Sequence, residues 1–240
     1  MHGNGGRGSQ WEHQLAALGI QYQVAALDLR GMGASEPPRN GDFSIGGFAE
    51  DVAAVAVALG YRSFVLVGHS LGGYVVAACA GLFPERLLGL VFVDHGGDPR
   101  NDAEADLEAL TNGLAPESFE DFSRQAMETC LKGARPQTKE QVLAQLQATP
   151  RTHFADAVLG LLDFDAGAAL KGYQGPKLHL HSGFLEEQNL VPIHAQVPGI
   201  EAILVEGCSH WVHMDQPDLF NAQMDRFLNL HALNPDCHQK

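Results

Sequence analysis

The pentapeptide Gly68-His69-Ser70-Leu71-Gly72 sets one hydroxyl between two glycines, directly after the apolar run Ser63–Val67 and directly before a helical pattern rich in small residues over 71–83. A serine on such a sharp strand-to-helix turn stands clear of the sheet and can act as a nucleophile. Side chains in place of Gly68 and Gly72 would collide where the helix crosses the strand. The helix N-terminus turns its free N–H groups and the positive end of its dipole toward the site, which favours developing negative charge. A structural serine in a glycine-rich turn is the plainer alternative. The strand before, the helix after and the further Gly73 weigh against it.

A serine nucleophile needs a base that reaches it from the same sheet edge, and a loop following a strand can supply one. Gly207-Cys208-Ser209-His210-Trp211 follows the last strand pattern, so His210 is the candidate among the 12 histidines. His69 neighbours the nucleophile and is expected to point away from it. His179 and His181 alternate onto one face of a strand and suit packed core or a pocket wall equally. His210 with His213 could suggest a metal, but a serine elbow in the same chain argues against one, and no metal or other cofactor is expected. An elbow of this kind takes one oxyanion-hole N–H from the residue after the nucleophile and another from the first strand-to-helix loop. In His2-Gly3-Asn4-Gly5 and the elbow, these are the backbone N–H groups of Asn4 and Leu71.

The elements that must position these residues alternate between short β-branched runs and longer helical patterns, as in a mostly parallel sheet flanked by helices. Strands are expected at Tyr22–Leu27, Ser63–Val67, Leu88–Val93, Lys177–His181 and Glu201–Val205, and helices over 44–60, 71–83 and 216–230. Between Asp98 and Gly175 no strand pattern is visible. Helical pieces over 116–131, 138–148 and 151–162 are broken by Gly133, Pro136 and Pro150. The expected organisation is a core of residues 1–98 and 176–232, a helical cap insertion over 99–175, and a frayed tail over 233–240. Phe119, Phe122, Met127, Phe154, Leu161 and Phe164 could line a pocket there, though most are better read as holding the insertion together.

The 240 residues suit one domain with a modest insertion, and 45% hydrophobic content can fill its core. A formal net charge of -14 makes nucleic acid and anionic membrane poor partners. Cys79, Cys130, Cys208 and Cys237 form no CxxC pair and read as reduced thiols. No signal peptide and no run of about 18 apolar residues is evident, so a cytoplasmic location is expected. The expected partner is a small-molecule acyl substrate, met by a monomer or simple homo-oligomer.

The stretches HGNGG, DLRGMGASEPP (Asp28–Pro38), GHSLGGYVV (Gly68–Val76) and GCSHWVHMDQPDLFNAQMDRFL (Gly207–Leu228) resemble the α/β-hydrolase superfamily of esterases, C–C hydrolases and related enzymes over essentially the whole chain. That resemblance implies an eight-strand sheet and a Ser–His–acid triad. In most of the superfamily the acid is an Asp after the penultimate strand, where this chain reads LHLHSGFLEEQNLVP (Leu178–Pro192), with Glu186 in the matching place and Glu187 next to it. In a second branch the acid follows the strand after the nucleophile helix, where Asp94 closes LVFVD, and the Phe220-Asn221 pair also resembles that branch. Asp94 is preferred, with Glu186 the alternative.

The superfamily also places three strands before the His-Gly pair, the third beside the nucleophile strand. Here Met1 reads as the last residue of that third strand, and the 240-residue chain alone is expected to be incomplete, poorly soluble or weakly active. The implied activity is serine-dependent hydrolysis of a carboxylic ester or similar acyl substrate. A cofactor-free oxygenase or perhydrolase, and a ligand receptor on the same scaffold, are the alternatives.

Overall fold

The structure is a computed structural model that describes residues 1–99 and 104–231. Four strands, β1 (Phe64–His69), β2 (Leu87–Val93), β3 (Lys177–His181) and β4 (Glu201–Leu204), form one sheet in the order β1-β2-β3-β4. Every neighbouring pair is parallel, with His69 opposite Val93, Val93 opposite Leu180 and Leu180 opposite Ile203. All four strands therefore end at one edge.

The period of two along a strand sorts β2 onto both faces of the sheet. Leu90 and Phe92 join the core cluster beneath α2 (Ile45–Ala58) and α3 (Leu71–Leu82). Val91 and Val93 join the cluster that packs on α12 (Pro217–Leu230) through Phe220, Met224 and Phe227. Because both faces are covered, β2 is a continuous apolar run and is almost wholly buried. The side chain of Ser44 caps α2 by accepting from the N–H of Gly47. α3 lies close on the sheet because its residues are small. A Cβ on Gly68 would fall 2.1 Å from the carbonyl oxygen of Gly72.

Between β2 and β3 run α4 (Glu104–Gly113), α5 (Phe119–Cys130), α6 (Pro136–Ala148), α7 (Arg151–Leu162) and α8 (Ala166–Leu170), with no strand among the described residues. The last part of this stretch is continuous with the main core. Ala157, Ala166, Leu170 and Tyr173 belong to the same buried cluster as α3. Three short helices, α9 (Phe184–Glu187), α10 (Ile193–Gln196) and α11 (Val212–Asp215), follow β3 and β4, and α1 (Glu12–Leu18) precedes α2. No helix among the described residues is long and apolar enough to cross a membrane.

Two expectations about the sheet are corrected. The described residues form four strands, not eight, and Tyr22–Leu27 is not a strand. That segment has no ladder partner among the described residues. A cavity of about 470 Å³ lies against it, bounded on other sides by β1, α2 and α12 through residues such as Val65, Val67, Val55 and Met224. Among the described residues only Met1 pairs with β1 at this edge. Its amino group donates to the carbonyl of Val67 at 2.6 Å, and its own carbonyl accepts from the N–H of His69 at 3.0 Å.

Candidate active site

β1 delivers Ser70 to the sheet edge, where it caps α3 with φ 51 and ψ -116. Its N–H donates to the carbonyl of Val93 at 3.0 Å and its carbonyl accepts from Gly73, so the turn is held by β2 and by the first turn of α3. Asp94 closes β2 with φ 45, and its N–H continues the ladder to Leu180. Among the described residues other than glycine, positive φ occurs only at Ser70, Asp94 and Asn189. Such backbone costs about 1–3 kcal/mol per residue and persists where the surroundings over-determine it.

His210 lies in the loop between β4 and α11. Its Nδ1 stands 2.7 Å from Oδ2 of Asp94. A buried carboxylate that also accepts from Ser182 is an acceptor toward the ring, so the neutral imidazole carries its proton on Nδ1. The loop is anchored by Asp215, whose carboxylate accepts from the N–H and hydroxyl of Ser209 and from the N–H of Arg135.

Of the carboxylates considered from sequence, Asp94 is the one that meets His210. Glu186 and Glu187 lie on α9, where Glu186 is exposed and Glu187 pairs with Lys132. His213 is buried and stacks on Trp11 at 4.0 Å between ring centroids. His179 is packed inside the sheet edge, with Nε2 accepting from the N–H of His95 and Nδ1 2.8 Å from Nδ1 of His194. No cluster of three or more His, Cys, Asp or Glu among the described residues is arranged to hold a metal ion.

Leu71 opens α3, and neither its N–H nor that of Asn4 is engaged by an acceptor among the described residues. The Asn4 side chain donates to the carbonyl of Phe154 on α7, which fixes its loop against the helical segment. Phe119, Phe122 and Phe154 cluster with Leu114 and Val158, and Met127 packs with Leu131, Val142 and Trp211. Leu161 and Phe164 pack against the main core. Phe119, Phe122 and Phe154 thus hold the segment together, whereas Leu161, Phe164 and Met127 tie it to the rest of the molecule.

Ser182 was not singled out from sequence. It directly follows β3, next to β2 in the sheet, and a hydroxyl at that strand end is the signal that could have identified it as a neighbour of Asp94.

Comparison with known proteins places this chain among relatives. The family profile described as alpha/beta hydrolase fold matches residues 1–217. A protein of Escherichia coli O127:H6 provisionally named as the carbamate hydrolase RutD is 27% identical over 92% of this chain and 87% of its own length. A provisionally named esterase/lipase of Haemophilus influenzae is 25% identical over 89% of this chain and 76% of its own. A crystal structure of a hydrolase from Pseudomonas aeruginosa PA01 superposes with a TM-score of 0.78 at 26% identity, over 95% of this chain and 87% of that one.

Proposed function

We propose that this chain, which belongs to the α/β-hydrolase fold family, is a serine hydrolase of carboxylic esters or similar acyl substrates. The observation that carries the reading is the 2.7 Å contact between Asp94 and Nδ1 of His210, at the sheet edge that also bears the strained Ser70. Relatives named as an esterase/lipase and a carbamate hydrolase support the acyl-substrate class.

In this reading Ser70 Oγ attacks the acyl carbon as His210 Nε2 takes its proton. Asp94 keeps Nδ1 protonated and steadies the imidazolium that forms. The N–H groups of Leu71 and Asn4 hold the oxyanion of the tetrahedral intermediate, and Leu71 does so from a helix N-terminus. Collapse expels the alcohol, which takes the proton from His210 and leaves an acyl-Ser70 ester. Water then attacks that ester with His210 as base, releasing the carboxylic acid and restoring the serine.

The test is labelling with a fluorophosphonate, with Ser70→Ala as the control, followed by esters of increasing acyl length. Ser70 is expected to be the labelled residue. A folded wild-type protein that resists labelling removes the serine hydrolase and promotes the cofactor-free oxygenase, which would tolerate Ser70→Ala.

A further inference from the structure

Apart from the bond to Asp94, the hydrogen bonds that hold His210 come from its backbone. Its N–H donates to the carbonyl of Cys130, the last residue of α5, at 3.1 Å. Its carbonyl lies 2.9 Å from Nε2 of His69, a residue 141 positions earlier. A carbonyl only accepts, so Nε2 of His69 carries the ring proton. Nδ1 of His69 is buried with no partner among the described residues, so the ring is committed to this one bond.

His69 stands where three loops meet. It is the last residue of β1 and directly precedes Ser70. Its ring centroid lies 4.5 Å from that of His210 and 5.0 Å from that of His213. On the other side it presses on the loop bearing Asn4, since a Cβ on Gly3 would come within 2.9 Å of its Nδ1. Burial, followed by the nearness of His210 and His213, holds this imidazole well below its usual range. It therefore donates to the His210 carbonyl without adding a charge beside the imidazolium that forms when His210 takes the serine proton.

Resting on the serine hydrolase reading, we propose that His69 is a positioning residue, whose Nε2–H bond to the His210 carbonyl sets the placement of the base relative to Ser70. Without that donor the buried carbonyl favours a shifted loop, and a displacement of about 1 Å between reacting groups can cost on the order of 10²-fold in rate.

Three variants separate positioning from packing. His69→Leu keeps bulk and removes the donor, His69→Gln returns a donor at the place of Nε2, and His69→Asn returns one only at the place of Nδ1. The Leu variant is expected to lose kcat by on the order of 10²-fold with KM little changed, and to be labelled at Ser70 correspondingly slowly. Gln restores most of the activity and Asn does not. The downfield proton resonance of the Asp94–His210 bond is expected to be sharp in wild type and Gln and broadened in Leu. If the Leu variant fails to fold, the comparison of Gln with Asn decides. Wild-type labelling rates in the Leu variant, or equal impairment of Gln and Asn, overturn the role of His69. A wild-type protein that is not labelled at Ser70 overturns the hydrolase reading itself.

Discussion

Ser182 donates twice to Asp94, from its N–H at 2.7 Å and from its hydroxyl at 2.9 Å, across 88 positions of chain. Each carboxylate oxygen thus accepts from the residue that follows β3, and His210 adds a third contact at Oδ2. Ser182→Ala removes one donor from a buried charge, a loss of about 1–3 kcal/mol. We expect a lower melting temperature and a reduced kcat with KM near that of the wild type. An unchanged melting curve would mean that the hydroxyl bond contributes nothing.

Asp94→Asn keeps the size of the side chain but lets its amide donate toward Nδ1, which favours the wrong imidazole tautomer. On the proposed reading, the kcat for ester hydrolysis is expected to fall by about 10⁴-fold, the loss that the same change causes in a Ser–His–Asp triad. Glu186→Gln alters an exposed carboxylate on α9 and is expected to have little effect. Steady-state kinetics of the pair decide between them, and the reverse pattern would move the acid to Glu186.

Burial lowers the imidazoles of His2 to about 4 and of His95 to about 3. Their folded values lie below the unfolded value of about 6.5, so beneath that pH the unfolded chain binds more protons. Stability is accordingly full above about pH 6.5 and declines as pH falls toward 4, by on the order of 3 kcal/mol from His2 alone. Urea unfolding at intervals from pH 8 to pH 4 measures this. Equal stability at pH 7 and pH 4.5 would mean that these rings are reached by water.

The cavity beside β1 is apolar, and Met1 enters it with a buried amino group whose pKa burial lowers to about 5. Fusing an alternating apolar segment of roughly five residues ahead of Met1 converts that amine to an amide and supplies a ladder partner for Val65 and Val67. The fused form is expected to melt higher, by roughly 2–4 °C for each kcal/mol gained. Identical melts for the two forms would show that the cavity is not a strand site.

Local pattern was enough for much of the molecule. The run at Leu88–Val93 is apolar because both sheet faces are covered, and this buried signature lies in sequence order. The turn at Ser70 was legible because Gly68 and Gly72 serve a contact only a few residues apart. Tyr22–Leu27 was misread for a related reason. β-propensity reports what a segment prefers, whereas a strand requires a neighbour, and a cavity lies where one would pair.

What only the tertiary structure decided is which distant groups meet. Asp94 and Glu186 both follow strands in the sequence, and it is the parallel register of β2 beside β3 that sets Asp94 between Ser182 and His210. The bond from His69 to the His210 carbonyl, and that from His210 to Cys130, join segments that share no local pattern. Periodicity encodes which face of an element is buried, but hydrogen bonds across long loops are fixed only when the layers close.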